Sequence, residues 1–380
     1  SFKFVINRHT IGTDKKFFGL NKNVFIAGIV SLFMDISSEM IYPLLPLFLV
    51  NVIGTSKSTI GLIEGIAEST ASLLKVFSGW SSDKIRNRKW FMVAGYGIST
   101  LSRPLTALAT NWHHIMGARF MDRFGKGIRT APRDALISEF TESSRLGRAF
   151  SFHRSLDTLG AVIGPAIAFI LLSVSSNNYR FIFWASMIPG VIAVLMIILF
   201  ITEKKRFTTN NINRPKLSIK LFDWRFKFFL FITALFAFGN SSDVFLILRA
   251  QQIGIPITMI PIVYLFFNII YSLSAIPIGI IADYYGKKKI ILIGFILFAV
   301  IYFGFAVASK TITIWILFCL YGIFMGLTEG IQKAFLATII PSDFKATAYG
   351  VYHTIIGIAM FPASLIGGWL WDNISPSATF

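Results

Sequence analysis

Long apolar runs recur along this chain, and they constrain its fold more than any other feature. A helix that crosses a bilayer needs about 20 mostly apolar residues. Hydrophobic residues make up 54% of the chain and charged residues only 14%, against about 25% charged residues in soluble domains. The sequence therefore predicts an all-α polytopic membrane protein. Eleven spans are predicted, at 22–51, 57–80, 90–109, 113–139, 147–174, 180–202, 225–251, 256–282, 289–309, 312–338 and 345–371.

Basic residues concentrate in every second stretch between these spans. The net charge is +18, which in a soluble protein would suggest binding to nucleic acid. In a membrane protein the cytoplasmic loops collect lysine and arginine, so no nucleic acid partner is expected. The positive-inside rule places the N-terminus and the longest polar stretch, 203–224, in the cytoplasm. We therefore expect a multi-pass protein of the cytoplasmic (inner) membrane, surrounded by the lipid bilayer.

The longest polar stretch also separates two halves that repeat. "GWSSDKIRNRK" at 79–89 and "GIIADYYGKKK" at 279–289 each follow the second span of a half. A shared motif at the same place in each half indicates parallel repeats, as in large transporter folds. The predicted organisation is a cytoplasmic arm at 1–21, a six-helix bundle at 22–202, a cytoplasmic linker at 203–224 and a second bundle at 225–380 with five visible helices.

The repeated stretch carries a loop motif of the form G-x-x-x-D-[RK]-x-G-[RK]-[RK]. The second copy fits the pattern well, whereas the first copy has an arginine in place of the second glycine. In this motif the chain resembles the major facilitator superfamily, in which the aspartate and the loop cations hold the cytoplasmic side closed. The resemblance implies gating roles for Asp83, Arg86, Gly279, Asp283, Gly286 and Lys287.

Two further motifs carry the same resemblance. The fourth-span pattern R-x-x-[Q]-G-x-[G]-x-A begins at Arg123, with Lys126 in the place of the usual glutamine. In the family this arginine is linked to proton transfer or substrate binding. The fifth-span pattern G-x-x-x-G-P is present as Gly160, Gly164 and Pro165. It is typical of antiporters, which are often exporters, and its small residues let helices pack closely.

The resemblance covers nearly the whole chain and sets several expectations. It implies two six-helix bundles that work by alternating access, although a twelfth helix is not visible in this chain. The stretches 34–49 and 123–139 are similar to a bacterial, drug:proton-antiporter-like subgroup. A monomer that needs no cofactor or metal is expected, with a small-molecule substrate and protons as its partners.

Residues 118–139 lie between apolar runs and carry five cations, Arg119, Arg123, Lys126, Arg129 and Arg133. At 100° per residue, these cations and the two aspartates among them fall within a helical arc of about 140°. Arg123 lies about 16 Å into the span, near the middle of a hydrocarbon core about 30 Å thick. An unpaired charge at that depth costs about 2.5–3.5 kcal/mol. The cations are therefore expected to pair with acids or to line a wet cavity.

Acidic residues lie at comparable depth on neighbouring spans of the first half. We expect a carboxylate beside Arg123 to alternate between pairing with the arginine and carrying a proton, with Asp35, Glu68 and Asp157 as the candidates. A static buried network that only fixes helix packing is the alternative. The predicted site for proton coupling and substrate consists of Asp35, Glu39, Glu64, Glu68, Arg119, Arg123, Lys126 and Asp157.

The second half contains fewer charged residues within its spans. Asp243 lies in the seventh span, and Glu329 and Lys333 are spaced to pair on one helix. Aromatic residues such as Tyr264 and Tyr271 either form a cavity wall or simply pack.

Several functional classes compete with this interpretation. The sequence shows no catalytic constellation and no P-loop, so neither an enzyme nor an ATP-driven pump is expected. A channel or a receptor of the same fold is an alternative, although the duplicated gating motif favours alternating access. Within transport, proton-coupled export of small organic compounds competes with movement of an anionic metabolite such as a polycarboxylate or siderophore. The surplus cations on the fourth span favour the anionic alternative.

The gating motif leads to a first prediction. We expect Asp83→Asn or Asp283→Asn to disturb conformational cycling, because each substitution removes the charge that attracts the cations of its loop. Single cysteines placed at the cytoplasmic side should then react faster with a membrane-impermeant maleimide than in the unsubstituted protein. Equal labelling rates in both variants would remove the gating role.

Overall fold

The computed structural model describes residues 16–17, 20–85, 87–141, 146–203, 223–339 and 345–380. An antiparallel pair of two-residue strands, β1 (Lys16–Phe17) and β2 (Leu20–Asn21), precedes the first helix. The predicted all-α membrane fold is confirmed. The α-helices are α1 (Lys22–Ile41), α2 (Leu45–Asn51), α3 (Lys57–Ile85), α4 (Arg88–Ala107), α5 (Trp112–Glu139), α6 (Leu146–Val174), α7 (Tyr179–Phe200), α8 (Trp224–Gly239), α9 (Val244–Gln252), α10 (Ile260–Tyr285), α11 (Lys287–Val307), α12 (Thr311–Ile339) and α13 (Lys345–Asn373).

The first and the seventh predicted spans are broken helices, whereas the sequence predicts continuous ones. The helix breaks between α1 and α2 at Pro43, because proline lacks the amide hydrogen that would continue the helix. The Leu44 amide instead bonds to the Ile41 carbonyl at 2.9 Å. In the seventh span, residues 240–243 separate α8 from α9. The two breaks therefore occur at equivalent places in the repeat, and breaks of this kind mark binding sites in transporters.

Eight of the described helices or broken helices are long and apolar enough to cross a membrane. Helices α3, α4 and α5 are of comparable length but more polar, because they carry charged residues along their length. On α5, Arg119, Asp122, Arg123 and Arg129 are all buried. The first half therefore has a polar interior rather than a polar outer surface.

Helix packing divides the chain into two groups. In the first half α1 packs on α6 and α7, and α5 packs on α3 and α4. In the second half α12 packs on α10 and α11, and α8 packs on α13. The halves meet mainly along two helix pairs, α3 with α13 and α6 with α10.

Glycines on α3 allow the first of these pairs to approach closely. A Cβ atom at Gly61 would collide with the backbone of Ser364 on α13. A Cβ atom at Gly65 would lie 2.9 Å from the carbonyl oxygen of Phe361. Small residues permit such contact between membrane helices, so this interface depends on backbone contact rather than on large side chains.

The two halves are also joined by hydrogen bonds at the end of the bundle that holds Asn51, Lys57 and Asp372, here called the Lys57 face. The Asp372 carboxylate accepts hydrogen bonds from the amides of Lys57 (3.2 Å) and Ser58 (2.7 Å) at the start of α3. It also accepts one from the Ser58 hydroxyl at 2.8 Å. Gln251 on α9 donates to the Asn51 side chain on α2 at 3.1 Å. These contacts hold the two halves together at this face.

We expect Asp372→Ala to loosen the contact between the halves at the Lys57 face, because the first amides of α3 lose their acceptor. Loss of a helix cap costs about 0.5–2 kcal/mol, which enlarges the separated population about 2- to 30-fold. Spin labels at the exposed positions Val52 and Ile374 should show longer distances. The matched control is Asp223→Ala. Asp223 also caps a helix, because it accepts a hydrogen bond from the Trp224 amide, but this contact does not connect the two halves. Identical distances in both variants would contradict the assignment.

Candidate functional site

A cavity of about 270 Å³ lies between the two halves. Its walls come from α1, α5 and α6 on one side and from α10 on the other. The uncharged lining residues are Ser38, Tyr42, Thr158, Ala161, Tyr264, Asn268, Tyr271 and Ser272. The charged lining residues are Asp35, Glu39, Arg119, Asp122, Arg123, Lys126, Arg129, Arg154 and Asp157. The charged residues all belong to the first half, so the cavity has one ionic wall and one uncharged wall.

Two arginines of α5 pair with two glutamates of α3. Arg119 makes a fork to Glu64, with Nε–Oε1 at 2.8 Å and Nη2–Oε2 at 2.6 Å. One helical turn further on, Arg123 pairs with Glu68 at 2.9 Å. The bidentate contact of Arg119 with Glu64 is strong and directional, so it fixes the position of α5 against α3, and the Arg123–Glu68 pair adds a second contact between the same helices. Of the three carboxylates proposed for Arg123, the structure pairs it with Glu68.

A further buried arginine, Arg103 on α4, extends this network. Its Nη2 lies 3.1 Å from the Asp122 carboxylate, and its Nε donates to the Ser37 hydroxyl at 3.2 Å. Asp122 also faces Arg119 at 3.6 Å. Arg103 was not among the predicted site residues. The signal that could have found it was present, because Arg103 is a cation within the apolar run 90–109.

The polar stripe of α5 contributes to the cavity only as far as Arg129. Arg129 donates to the Ser99 hydroxyl at 2.7 Å, and its guanidinium lies 4.5 Å from the ring centroid of Tyr96. Arg133, one turn later, pairs with its neighbour Asp134 at 2.9 Å. Arg133 and Asp134 belong to the predicted stripe but do not line the cavity.

The acids of α1 lie where α6 approaches most closely. A Cβ atom at Gly160 would lie 2.8 Å from the Cβ of Asp35, and one at Gly164 would lie 2.8 Å from the Cβ of Glu39. Pro165 follows within the same helix. The two glycines of the fifth-span motif thus allow α6 to pack directly behind the two carboxylates that face the cavity.

Not every charged lining residue has an ionic partner. Among the described residues, Asp35, Glu39 and Lys126 form no ion pair, and the Glu39 Oε2 atom is buried without a hydrogen-bond partner. Asp157 contacts the imidazole of His153 at 3.4 Å. The site therefore contains fixed ion pairs on α3, α4 and α5 together with charges that are free to take another partner.

A polar bridge connects the two halves beside the cavity. Arg154 on α6 donates to the Tyr271 hydroxyl at 2.9 Å and lies 3.7 Å from the Glu329 carboxylate. The Tyr271 hydroxyl donates to Glu329, which also pairs with Lys333 at 3.4 Å. The predicted pairing of Glu329 with Lys333 is therefore present, but no pattern in the sequence indicates the contact with Arg154. Arg154 lies one turn before Asp157 on the same helix.

The break in the seventh span is held by hydrogen bonds to tyrosines. The Tyr321 hydroxyl donates to Asp243 at 2.6 Å, and the Tyr302 hydroxyl donates to Asn240 at 2.9 Å. Asp243 does not line the cavity, and its described contact is with Tyr321 of the same half.

The structure describes only part of the proposed gating set. Gly279 lies within α10, and Gly286 separates α10 from α11 at a φ of 100°, a value that favours glycine. Lys287 begins α11. Arg86 and the side chains of Asp83 and Asp283 lie outside the described residues.

Comparisons with known proteins agree with this architecture. A sequence model described as Major Facilitator Superfamily matches residues 27–364. An MFS-type transporter of Methanocaldococcus jannaschii is 38% identical over 368 residues, which cover 95% of this chain and 91% of that protein. The quinolone resistance protein NorA of Staphylococcus aureus is 23% identical over 226 residues, which cover 59% of this chain and 57% of NorA.

Solved structures show the same fold. The nucleoside transporter NupG matches with a TM-score of 0.75 at 15% identity and covers 94% of both chains. A bacterial homologue of the human lysosomal transporter Spinster matches with a TM-score of 0.73 at 14% identity, covering 92% of this chain and 82% of that one.

We expect Gly160→Ala and Gly164→Ala each to destabilise the protein by about 1–3 kcal/mol, the usual cost of overpacking. The added methyl groups would push α6 away from Asp35 and Glu39. Thermal unfolding in detergent measures the effect. Gly97→Ala on α4 is the matched control, because no atom lies within 4 Å of the added methyl group there. Equal melting temperatures for all three variants would contradict close packing of α6 on α1.

Proposed function

This chain belongs to the Major Facilitator Superfamily, and we propose that it is a proton-coupled secondary active transporter that exports small organic compounds by alternating access. Membership of this family makes it a multi-pass membrane protein with a small-molecule substrate. The observation that carries the proposal is the cavity between the halves. Its ionic wall combines charges held in ion pairs with carboxylates that have no cationic partner.

The carboxylates without a cationic partner are the proposed proton carriers. Asp35 and Glu39 face the cavity from α1, and Asp157 faces it from α6. Among the described residues neither Asp35 nor Glu39 has a cation in contact that would hold it permanently in the charged form. The groups around Asp35 that influence its charge are Glu39, Lys126, Arg129 and Asp157.

The paired acids have a different proposed role. Glu64 and Glu68 are held by Arg119 and Arg123, so their charges are compensated in place. Arg123 keeps one donor, its Nε atom, buried and without a partner. We assign to Arg123 the role of attracting a carboxylate of the cavity when that carboxylate loses its proton.

The contacts at the Lys57 face support alternating access. Asp372 and Gln251 join the halves at that face, so the halves must separate there for the cavity to open toward it. The distribution of basic residues favours an orientation with the N-terminus in the cytoplasm. In that orientation the Lys57 face lies on the side of the membrane opposite to the cytoplasm. The cavity lies between the two halves of the chain, and we propose a monomer as the working unit.

Export is supported by two observations. Gly160, Gly164 and Pro165 on α6 match the motif that resembles that of antiporters. The distant relative NorA is, by its name, a quinolone resistance protein, and resistance through a transporter requires movement of the compound out of the cell.

We expect Arg123→Ala to abolish proton-coupled transport while the protein stays folded. A panel of fluorescent organic compounds in proteoliposomes with an imposed pH gradient measures the transport, and size-exclusion chromatography checks the fold. The matched control is Arg133→Ala on the same helix, which lies outside the cavity and should retain at least half of the transport. Normal gradient-driven accumulation in Arg123→Ala would exclude this mechanism.

We expect Asp35→Asn to uncouple the cycle, because an amide cannot release a proton to either side. Accumulation driven by the pH gradient should fall at least tenfold, while exchange of labelled for unlabelled compound at equal pH persists. Accumulation that is insensitive to the pH gradient in the unsubstituted protein would point to a channel or a uniporter instead.

A further inference from the structure

The ionic wall retains both signs of charge after its ion pairs are assigned. Glu64 and Glu68 compensate Arg119 and Arg123, while Arg103 compensates Asp122. The cations of this wall without an assigned carboxylate are then Lys126, Arg129 and Arg154.

Two further cavity cations also have partners. Arg129 is held by Ser99 and the ring of Tyr96, and Arg154 contacts Tyr271 and Glu329. Neither guanidinium is therefore free for a new partner without the loss of these contacts.

Four charged groups of the cavity wall remain, and one of them, Asp157 on α6, contacts only the His153 imidazole among the described residues. Asp35 and Glu39 lie one turn apart on α1, and Lys126 lines the same cavity from α5. Lys126 is an exposed side chain that lines the cavity, and no described residue pairs with it. The buried Oε2 atom of Glu39 likewise has no hydrogen-bond partner. The wall thus offers carboxylates on α1 and an ammonium on α5, and all of these groups line the same cavity.

A compound with a single charge would compensate only one of these two helices. A cation would meet the α1 carboxylates and leave Lys126 without a partner, and an anion would do the reverse. Each of these groups gains a charge-assisted hydrogen bond only from a group of the opposite charge. A compound that carries both charges would compensate both sides at once.

The opposite wall is aromatic and uncharged. Tyr264 and Tyr271 line it, and the Tyr264 ring lies 5.4 Å from that of Tyr42. Asn268 donates to the Tyr264 carbonyl at 3.0 Å, which leaves its own carbonyl oxygen available. Drug-sized ligands occupy pockets of about 300–1,000 Å³, so a cavity of about 270 Å³ suits a small compound with one ring.

From these observations we infer that the substrate is a small aromatic zwitterion. Its cationic group faces Asp35 and Glu39, its anionic group faces Lys126, and its ring lies against Tyr264 and Tyr271. This inference rests on the proposed transport function and specifies the substrate class of the same cavity. The earlier alternatives were a small organic compound and an anionic metabolite. The inferred substrate is instead a small organic compound that carries one positive and one negative charge.

Two matched sets of compounds test the inference by calorimetry on the purified protein in detergent. The first set is L-tyrosine, N-acetyl-L-tyrosine and L-tyrosinamide, which carry both charges, the negative charge alone and the positive charge alone. The second set is 4-(aminomethyl)benzoate, 4-methylbenzoate and 4-methylbenzylamine, in which the two charges lie further apart. We expect the zwitterion of at least one set to bind at least tenfold more tightly than both of its singly charged relatives.

Variants assign each charge to its partner. In Lys126→Gln the advantage of the zwitterion over the cation-only compound should fall below threefold, while its advantage over the anion-only compound remains. In Glu39→Gln the reverse should hold. Lys310→Gln, on an exposed loop, is the matched control and should retain both preferences.

Three outcomes would overturn the inference. They are equal binding within both sets, tighter binding of a singly charged member in both sets, and no binding of any member by the folded protein. Binding in detergent needs no proton gradient, so it separates the two proposals. A zwitterion preference without gradient-driven flux would overturn proton coupling alone, and gradient-driven flux of other compounds without that preference would overturn the substrate class alone.

Discussion

The structure depends on the compensation of buried charge between α3, α4 and α5. An unpaired charge at the bilayer centre costs about 2.5–3.5 kcal/mol, and these helices carry several. Arg119 and Arg123 therefore face Glu64 and Glu68, and Arg103 faces Asp122. Since each pair joins two different helices, the pairs also fix how these helices lie against one another. The polar faces of α3, α4 and α5 point into the bundle, so the charged side chains of these pairs do not contact lipid.

Close backbone contact between helices is the second constraint on the structure, and it applies at helix pairs that no ion pair joins among the described residues. Gly160 and Gly164 bring α6 against α1 behind Asp35 and Glu39. Gly61 and Gly65 do the same between α3 and α13, across the two halves. Lipid tails are as apolar as leucine, so packing of small residues contributes strongly to association between membrane helices. An interface of this kind contains few interlocking side chains, and it can separate with little repacking.

The spans and the polar stripe of α5 followed from the sequence because both depend on local spacing. Hydropathy over about 20 residues locates a membrane helix, and a period of 3.6 places Arg119, Arg123 and Lys126 on one face. The partners of these cations could not be predicted, since spacing along one helix does not show which acid of another helix lies opposite. The contact of Arg154 with Glu329, across the two halves, is the clearest case. The break at residues 240–243 was missed because it contains no proline.

The fixed ion pairs explain why the few free charges can act. Arg119 and Arg123 cannot leave Glu64 and Glu68 without exposing a bare charge of each sign, so these ion pairs stay in place while the Nε atom of Arg123 can still attract a carboxylate of the cavity. Asp35, Glu39 and Lys126 have no such commitment among the described residues. A proton or a charged group that enters the cavity therefore changes the charge balance at these groups rather than at the scaffold. A network without free members would be static, and one without fixed members would lose its geometry with each proton.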